Sequence, residues 1–338
     1  MGSEMCIRDR VKKGMIETAP ISKENPVRLA SRASQLAMAQ THEVARRLDQ
    51  GPDQIACAIE ALSTRGDEVL DRSLAELGGK GLFVKTLEAA MLDGRAEAAV
   101  HSAKDMESDF AEGTIIAAFL EREDRRDALI GPFPRIDDLP DGAVVGTASV
   151  RRSAMLKSRR PDLRIRLLRG NVNSRLQQLA DGDYDAIILA MAGMNRLGTN
   201  RLGISTTEIH PIAEDIFLPA AGQGAIAVQA LAPDGSPRRD AVLTALKGLD
   251  HPPTAIELTA ERALLAALDG TCRTPIGASA RFDNRLTMKA ALFSPDGSQA
   301  FFAAGEAQAD DAAALGQRLA IDLLEQAGGR AFLAETGG

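Results

Sequence analysis

One layout recurs along this chain and limits how it can fold: a short apolar run, a small polar turn, then a helical pattern with arginine close behind. Ala143 to Val145 leads into Gly146-Thr147-Ala148-Ser149, with Ser149 as candidate cap and Arg151 and Arg152 in the first helical turn. Leu163 to Leu168 leads into Arg169-Gly170-Asn171, with Asn171 as candidate cap and Arg175 one turn in. Tyr184 to Leu189 runs into a glycine-containing helix start followed by Arg196, and upstream Pro26 to Ala30 runs into Ser31-Arg32-Ala33-Ser34. Short apolar runs alternating with helical periodicity predict an α/β fold.

The position of the cations carries a second message. First turns of helices favour acidic residues, because the helix dipole is positive there. Arginines at such places are locally unfavourable unless an anion lies close. A solvated basic face would explain one of them but not three at the same topological place. Ligands of open α/β sheets sit outside the carboxyl ends of the strands. The strand expected over Ala96 to Val100 delivers His101-Ser102-Ala103-Lys104-Asp105 to such an end. Ser31 and Ser34, by contrast, are explained equally well by helix capping.

Composition narrows the partners. The chain has 338 residues, 45% hydrophobic and 26% charged, with a net charge of −7. It has no Trp and one Tyr, which argues against an aromatic platform for single-stranded nucleic acid. Arg supplies roughly three quarters of the 40 basic residues, and its planar fork suits carboxylates and phosphates. An acidic protein with clustered arginines points to a small anionic ligand rather than a nucleic acid. Cys6, Cys57 and Cys272 form no C-x-x-C pair, which fits a reducing compartment, and with the scattered His42, His101, His210 and His251 they suggest no metal site. No apolar run reaches membrane-spanning length. Residues 1–23 lack the apolar core of a signal peptide and are expected to lie outside the fold as a disordered or non-native leader.

In chain order, Ile55, Cys57, Ile59 and Ala61 alternate as one face of a strand, with Cys57 expected in the core. Residues 64–81 end in Gly78-Gly79-Lys80-Gly81; the spacing is not that of a nucleotide-binding P-loop, and a mobile flap carrying Lys80 is expected. Phe83 to Leu92 reads as a helix and Ile115 to Leu120 as a strand; residues 121–126 are a charged crossing to a second unit, and 218–230 return to the first. Two helical patterns follow, 239–249 and 254–268, the second presenting Ile256, Ala260, Ala263 and Ala267 on one side. A third unit then holds strands over 276–282, 286–293 and 301–304 and a closing helix over 310–326. Between its first helix and first strand sits Gly270-Thr271-Cys272-Arg273-Thr274-Pro275, a lone thiol in a polar loop. An adjacent guanidinium favours thiolate, although an isolated Cys is as readily a small core residue.

Together the motifs L-A-S-R-A-S-Q-L-A (29–37), T-R-G-D (64–67), G-G-K-G-L-F-V-K (78–85), A-V-H-S-A-K-D (99–105), E-R-E-D-R-R-D-A (121–128), G-T-A-S-V-R-R (146–152), L-R-G-N (168–171), D-A-I-I-L-A (185–190), L-P-A-A-G-Q-G-A (218–225) and G-T-C-R-T-P-I-G (270–277) resemble the porphobilinogen deaminase, or hydroxymethylbilane synthase, family. The resemblance runs from Val27 to near the C-terminus. It implies two lobes built like periplasmic binding proteins and a small C-terminal α+β domain: domain 1 over 24–120 and 218–238, domain 2 over 121–217, domain 3 over 239–338. It also implies a cytoplasmic monomer and a dipyrromethane cofactor joined by a thioether to Cys272. Four porphobilinogen molecules would be deaminated and joined head to tail on that primer, and hydrolysis would release hydroxymethylbilane. No metal is required.

Each pyrrole carries an acetate and a propionate, so cofactor and growing chain form a polyanion. The resemblance assigns Lys104, Ser149, Arg151, Arg152, Arg169 and Gly170 to the cofactor and Arg32, Ser34, Arg175, Arg196 and Lys80 to the substrate. Asp105 matches the catalytic aspartate, expected near the pyrrole N–H groups to stabilise the cation left by loss of ammonia. Two positions depart from the family: Glu76 where many relatives carry a basic residue, and Thr271 in place of a glycine. The competing reading is a non-catalytic bilobal binding protein for a small polycarboxylate, which leaves Cys272 and the third unit without a role.

Overall fold

The computed structural model describes residues 20–63, 84–106, 110–203, 205, 208–269 and 274–336. The chain first lays down β1 (Val27–Arg32), α1 (Gln35–Gln50), β2 (Cys57–Leu62), α2 (Val84–Leu92), β3 (Ala98–Ser102) and β4 (Thr114–Phe119). It then crosses to β5 (Asp127–Ile130), β6 (Val144–Gly146), α3 (Val150–Arg159), β7 (Arg164–Arg166), α4 (Val172–Ala180), β8 (Ala186–Ala190), α5 (Met191–Leu197), α6 (Thr199–Leu202) and β9 (Ile209–Pro211). A second crossing leads to β10 (Ile226–Leu231) and α7 (Pro237–Lys247). The remainder forms α8 (Pro252–Ala267), β11 (Ile276–Asp283), β12 (Arg285–Phe293), β13 (Ala300–Ala307), α9 (Ala312–Gln326) and α10 (Ala331–Thr336).

The two large sheets share one plan. Strand order is β2-β1-β3-β10-β4 in the first and β7-β6-β8-β5-β9 in the second. Within each, the first three strands run parallel, and the fourth is antiparallel to both neighbours. That antiparallel strand, β10 or β5, is in each case the one that follows a crossing from the other lobe. The lobes are therefore stitched together twice, and the crossings at 121–126 and 212–225 form a double hinge. Because β10 lies between β3 and β4, Ile226 to Ala230 are buried throughout, as a strand covered on both faces requires.

The third unit is an antiparallel sheet, β11-β12-β13, with α8 and α9 packed on one face. At the far end of β12, Ala291 and Phe293 join Phe217, Leu218 and Met155 in the core of the second lobe. Domain 3 is thus packed into the second lobe by shared apolar burial, not hung from it. This is the α/β architecture expected from the sequence.

Three local expectations change. Cys57 and Ile59 lie on the edge strand β2, where Cys57 is only half-buried and Ala61 is exposed; burial there alternates imperfectly because one side of the strand has no neighbour. Ile21 packs against the core of the first lobe, so the fold takes in residues ahead of Lys23. On α8 the fully buried face carries Thr254, Glu257, Leu258, Ala260, Glu261 and Leu264, whereas Ile256, Ala263 and Ala267 are only partly buried. Ala260 lies in the domain 3 core with Ile256 and Ala267 packed against it, and what apolar periodicity left out is the centre of the buried face, two carboxylates.

Candidate active site

Three of the helices that follow strand ends, α1, α3 and α4, are capped as their sequence predicts, whereas α5 starts after Ala190 without a side-chain cap. Ser34 accepts from the Ala37 N–H at 3.4 Å, Ser149 from the Arg152 N–H at 3.4 Å, and Asn171 Oδ1 from the Ser174 N–H at 2.9 Å. The capped ends bring their neighbours together across the lobes. Leu36 of α1 lies against Gly193 of α5, and Asn173 of α4 donates to Gln35 at 2.8 Å.

Between these ends lies a group of charges. A short turn after β3, Ala103–Asp105, presents Lys104 and a solvent-facing Asp105. Arg32, the last residue of β1, stands 4.0 Å from the Asp105 carboxylate. Burial pushes the Lys104 ammonium down to about 8, with Arg152 and Arg151 lowering it further and Asp105 and Asp127 raising it. Burial likewise brings Arg175 down to about 10, helped by Arg152 and Arg169 and opposed by Asp105. Among the described residues, Arg32, Lys104, Arg151, Arg152, Arg169 and Arg175 thus form one electrostatic group that also contains Asp105 and Asp127.

Arg151 and Arg152 are not directed wholly at a ligand. They are 4% and 7% exposed, and both bind the fully buried Asp127: Arg151 Nη2 at 2.8 Å, Arg152 Nη2 and Nε at 2.7 and 3.0 Å. Arg151 Nη1 and Arg152 Nη1 donate to the carbonyls of Leu218 and Ile188, whereas the buried Arg151 Nε has no hydrogen-bond partner among the described residues. Burial opposes the charged form of Asp127, but the two guanidiniums outweigh it and hold the carboxyl well below the ordinary range. The anion that balances these first-turn arginines is therefore the protein's own, supplied by the first residue of a crossing strand. Pattern reading missed it because Asp127 is 24 residues from Arg151 in sequence.

The other assigned residues divide. Arg169 and Gly170 stand at the start of α4; Gly170 has φ +110°, and a Cβ there would fall 2.1 Å from Ser174 Oγ. Its carbonyl accepts from Arg175 Nε at 2.8 Å, which aims the rest of that guanidinium into the charge group. Arg196 is not brought into the group. It donates to the Gly224 carbonyl at 2.8 Å and pairs with Glu43 at 3.5 Å, beside a separate cavity of about 260 Å³ lined by Glu43, Arg47, Glu121, Arg122 and Glu123. Cys272, Lys80 and Glu76 lie outside the described residues. The chain re-enters at Thr274, and Ala278 N–H then donates to the Pro219 carbonyl of the hinge. His101, one strand position before Ser102, is brought down to about 4 chiefly by burial and so stays neutral at physiological pH.

Two α/β lobes joined by a double hinge, with Lys104 and several arginines gathered where their strand ends meet, define a cleft protein for a small polyanion. Residues 27–238 match the family model described as porphobilinogen deaminase, dipyromethane cofactor binding domain, and residues 255–325 match that of the porphobilinogen deaminase C-terminal domain. The chain belongs to the porphobilinogen deaminase family. It is 44% identical over 310 residues to the porphobilinogen deaminases of Nitrobacter winogradskyi and of Nitrobacter hamburgensis, an alignment covering 90% of this chain and 94% of each relative. Among solved structures, a periplasmic substrate-binding protein of an ABC transporter from Coxiella burnetii overlaps 65% of this chain and 91% of its own, with 16% identity and a TM-score of 0.37, too loose an overlap to argue from.

The activity is thus deamination of porphobilinogen in tetrapyrrole biosynthesis, with a dipyrromethane cofactor. The site fits that group: each of the two pyrroles carries an acetate and a propionate, and Lys104, Arg152, Arg169 and Arg175 lie in one electrostatic group beside Asp105. Among the described residues no helix is long and apolar enough to cross a membrane, and no cluster of His, Cys, Asp and Glu is arranged to hold a metal ion.

Proposed function

We propose that the chain is a hydroxymethylbilane synthase whose dipyrromethane is tethered to Cys272 and whose reaction is centred on Asp105. The observation that carries this is the convergence of Arg32, Lys104, Arg152, Arg169 and Arg175 around Asp105. When bound, the cofactor supplies the pyrrole carbon that is extended by four porphobilinogen units before hydrolysis releases the product. Lys104, Arg169, Arg175 and the Ser149 hydroxyl grip carboxylates, each charge-assisted hydrogen bond contributing about 1.5 to 3 kcal/mol. Gly170 keeps the turn before α4 compact enough for Arg169 and Arg175 to face the same space. Arg151 and Arg152, tied to Asp127, act mainly as a fixed positive wall, with any spare donor turned to the cofactor.

On the substrate side, Arg32 and Ser34 stand at the β1 to α1 turn, and Lys80 is assigned to the substrate with them. Arg196 reaches substrate only by leaving Glu43. Among the described residues of the group, Asp105 is the carboxylate that faces solvent, and is therefore placed to stabilise the cation left when ammonia departs. Loss of ammonia needs little acid assistance, because a free amine is already protonated at neutral pH. We further infer a cytoplasmic monomer of three domains, divided as 24–120 with 218–238, 121–217 and 239–338.

Intact-mass measurement tests the tether. The purified protein is expected to exceed its sequence mass by one dipyrromethane, and Cys272→Ser to lose that increment together with turnover. Turnover of porphobilinogen by a protein with unmodified Cys272 would sink the assignment.

A further inference from the structure

Gln223 lies in the second crossing, is 1% exposed, and bears no charge to draw attention in the sequence. Its side chain nevertheless joins both lobes. Oε1 accepts from the Lys104 ammonium of the first lobe at 3.3 Å. Nε2 donates to Asp127 Oδ1 of the second lobe at 2.9 Å and to the Arg125 carbonyl in the first crossing at 2.8 Å. Both amide donors and one acceptor direction of the oxygen are thus used, on groups from two other stretches of chain, one at Lys104 and one spanning Arg125 and Asp127. Its backbone carbonyl accepts from Arg122 Nε at 2.9 Å, and that guanidinium is gripped by Glu257 and Glu261 of α8.

The two flanking glycines show that the backbone is threaded to make this possible. Gly222 has φ +74°, and a Cβ there would fall 2.9 Å from the backbone of Ala103 and Lys104. Gly224 has φ +92°, and its Cβ would fall 2.4 Å from the Glu123 carbonyl oxygen. L-residues with side chains rarely adopt such φ values, and here a side chain would also push the hinge off the Lys104 turn.

We propose that Gln223 is a positioning residue: it holds the Lys104 ammonium at the junction of the lobes and ties it to the buried Asp127, Arg151 and Arg152. An amide suits this place because it can accept from the ammonium and donate to the carboxylate at once, which neither a carboxylate nor an amine can do. The anion grip of Lys104 and the charge balance of the two arginines are thereby fixed by one side chain in the hinge. The charged groups that bear on Lys104 are Asp105 of its own turn, Arg151 and Arg152 of α3, and Asp127 of β5, with Arg32 and Arg175 reaching it through Asp105. The inference rests on the proposed role of Lys104 in holding carboxylates.

The test follows the Lys104 ammonium directly, by the ¹³Cε NMR shift of labelled full-length protein titrated from neutral to alkaline pH and assigned with Lys104→Arg. Gln223→Met, close in shape but without the acceptor, is expected to lower the Lys104 midpoint by about one pH unit, the size of one hydrogen bond to a charged group, and to reduce turnover. Gln223→Glu keeps an oxygen toward Lys104 but loses both donors; it is expected to leave the midpoint at or above that of the parent while turnover still falls. A midpoint unmoved in folded Gln223→Met, or lowered equally in both variants, overturns the proposal. If neither variant folds, the residue is a structural brace and the proposal is also wrong. A parent protein that shows the Lys104 titration but no porphobilinogen turnover would instead strike the functional reading, because the NMR measurement does not depend on activity.

Discussion

Arg122 and Glu261 meet through two parallel hydrogen bonds, 2.8 and 3.0 Å long, in the interior where the hinge touches α8. Glu261 is fully buried, and its oxygens also accept from the Gly222 and Ala280 N–H groups at 2.7 and 2.8 Å. Burial works against the charge on Arg122, but Glu261 and Glu257 outweigh it and make the guanidinium harder still to deprotonate. One carboxylate therefore binds the first crossing, the second crossing and domain 3 together. Removing one partner of a buried pair leaves the other charge uncompensated, at a cost of about 3 to 5 kcal/mol. Arg122→Leu should lose stability on that scale, read as a lower urea midpoint, and a loss below about 1 kcal/mol would place the pair among those that contribute little.

Asp127→Asn should destabilise the protein at neutral pH, because it strands Arg151 and Arg152 without their carboxylate. The sign of its pH dependence is set by the direction of the shift. A carboxyl held low in the folded state contributes stability above the ordinary carboxylate range and loses it as pH falls through that range. The stability gap between parent and Asp127→Asn should therefore narrow from about pH 5 downward. Urea unfolding at a series of pH values measures it, and a gap that widened in acid would contradict the pairing.

Asp105→Ala should keep the covalent mass increment while turnover drops by about 100- to 1,000-fold, the usual cost of deleting one preorganised electrostatic group. Arg32 stands close enough to Asp105 for the two to be coupled, so Arg32→Ala should weaken the effect of a second change at Asp105. Normal turnover in Asp105→Ala would remove this residue from the reaction.

Lys104 offers a test by cofactor removal. With burial and Arg152 against it, the ammonium loses its proton near 8. Carboxylates beside it favour the charged form, so the midpoint should lie higher in cofactor-bearing protein than in Cys272→Ser, with ¹³Cε NMR reporting both. Equal midpoints would mean that Lys104 does not meet the cofactor.

Much of the site was legible because its parts are local. Ser149, Asn171 and Ser34 cap helices within three residues of themselves, so hydroxyl and amide positions ahead of a periodic run reveal them. Strand ends that run into Lys104 and Asp105, or into Arg169 and Gly170, are likewise readable from one stretch of chain. What was misjudged depends on distant partners. Arginines in a helix first turn correctly signalled an anion, but nothing near them in sequence identified it as Asp127. Glu257 and Glu261 lie four apart on one face of α8, and nothing near them in sequence identifies Arg122 and Arg125 of the hinge as their partners.

The sequence by itself determined the order of strands and helices, the caps, the surplus of arginine at strand ends and the family motifs, because hydrophobic period and side-chain-to-backbone bonding act over a few residues. Only the tertiary structure decided which of those arginines are balanced internally. It also joined Lys104, Asp127 and Arg125 through Gln223 and turned Arg196 toward Glu43. The reason is physical: a charge taken out of water must find its counter-charge in space, and here the partner is supplied by crossings that bring residues tens to more than a hundred positions apart into contact.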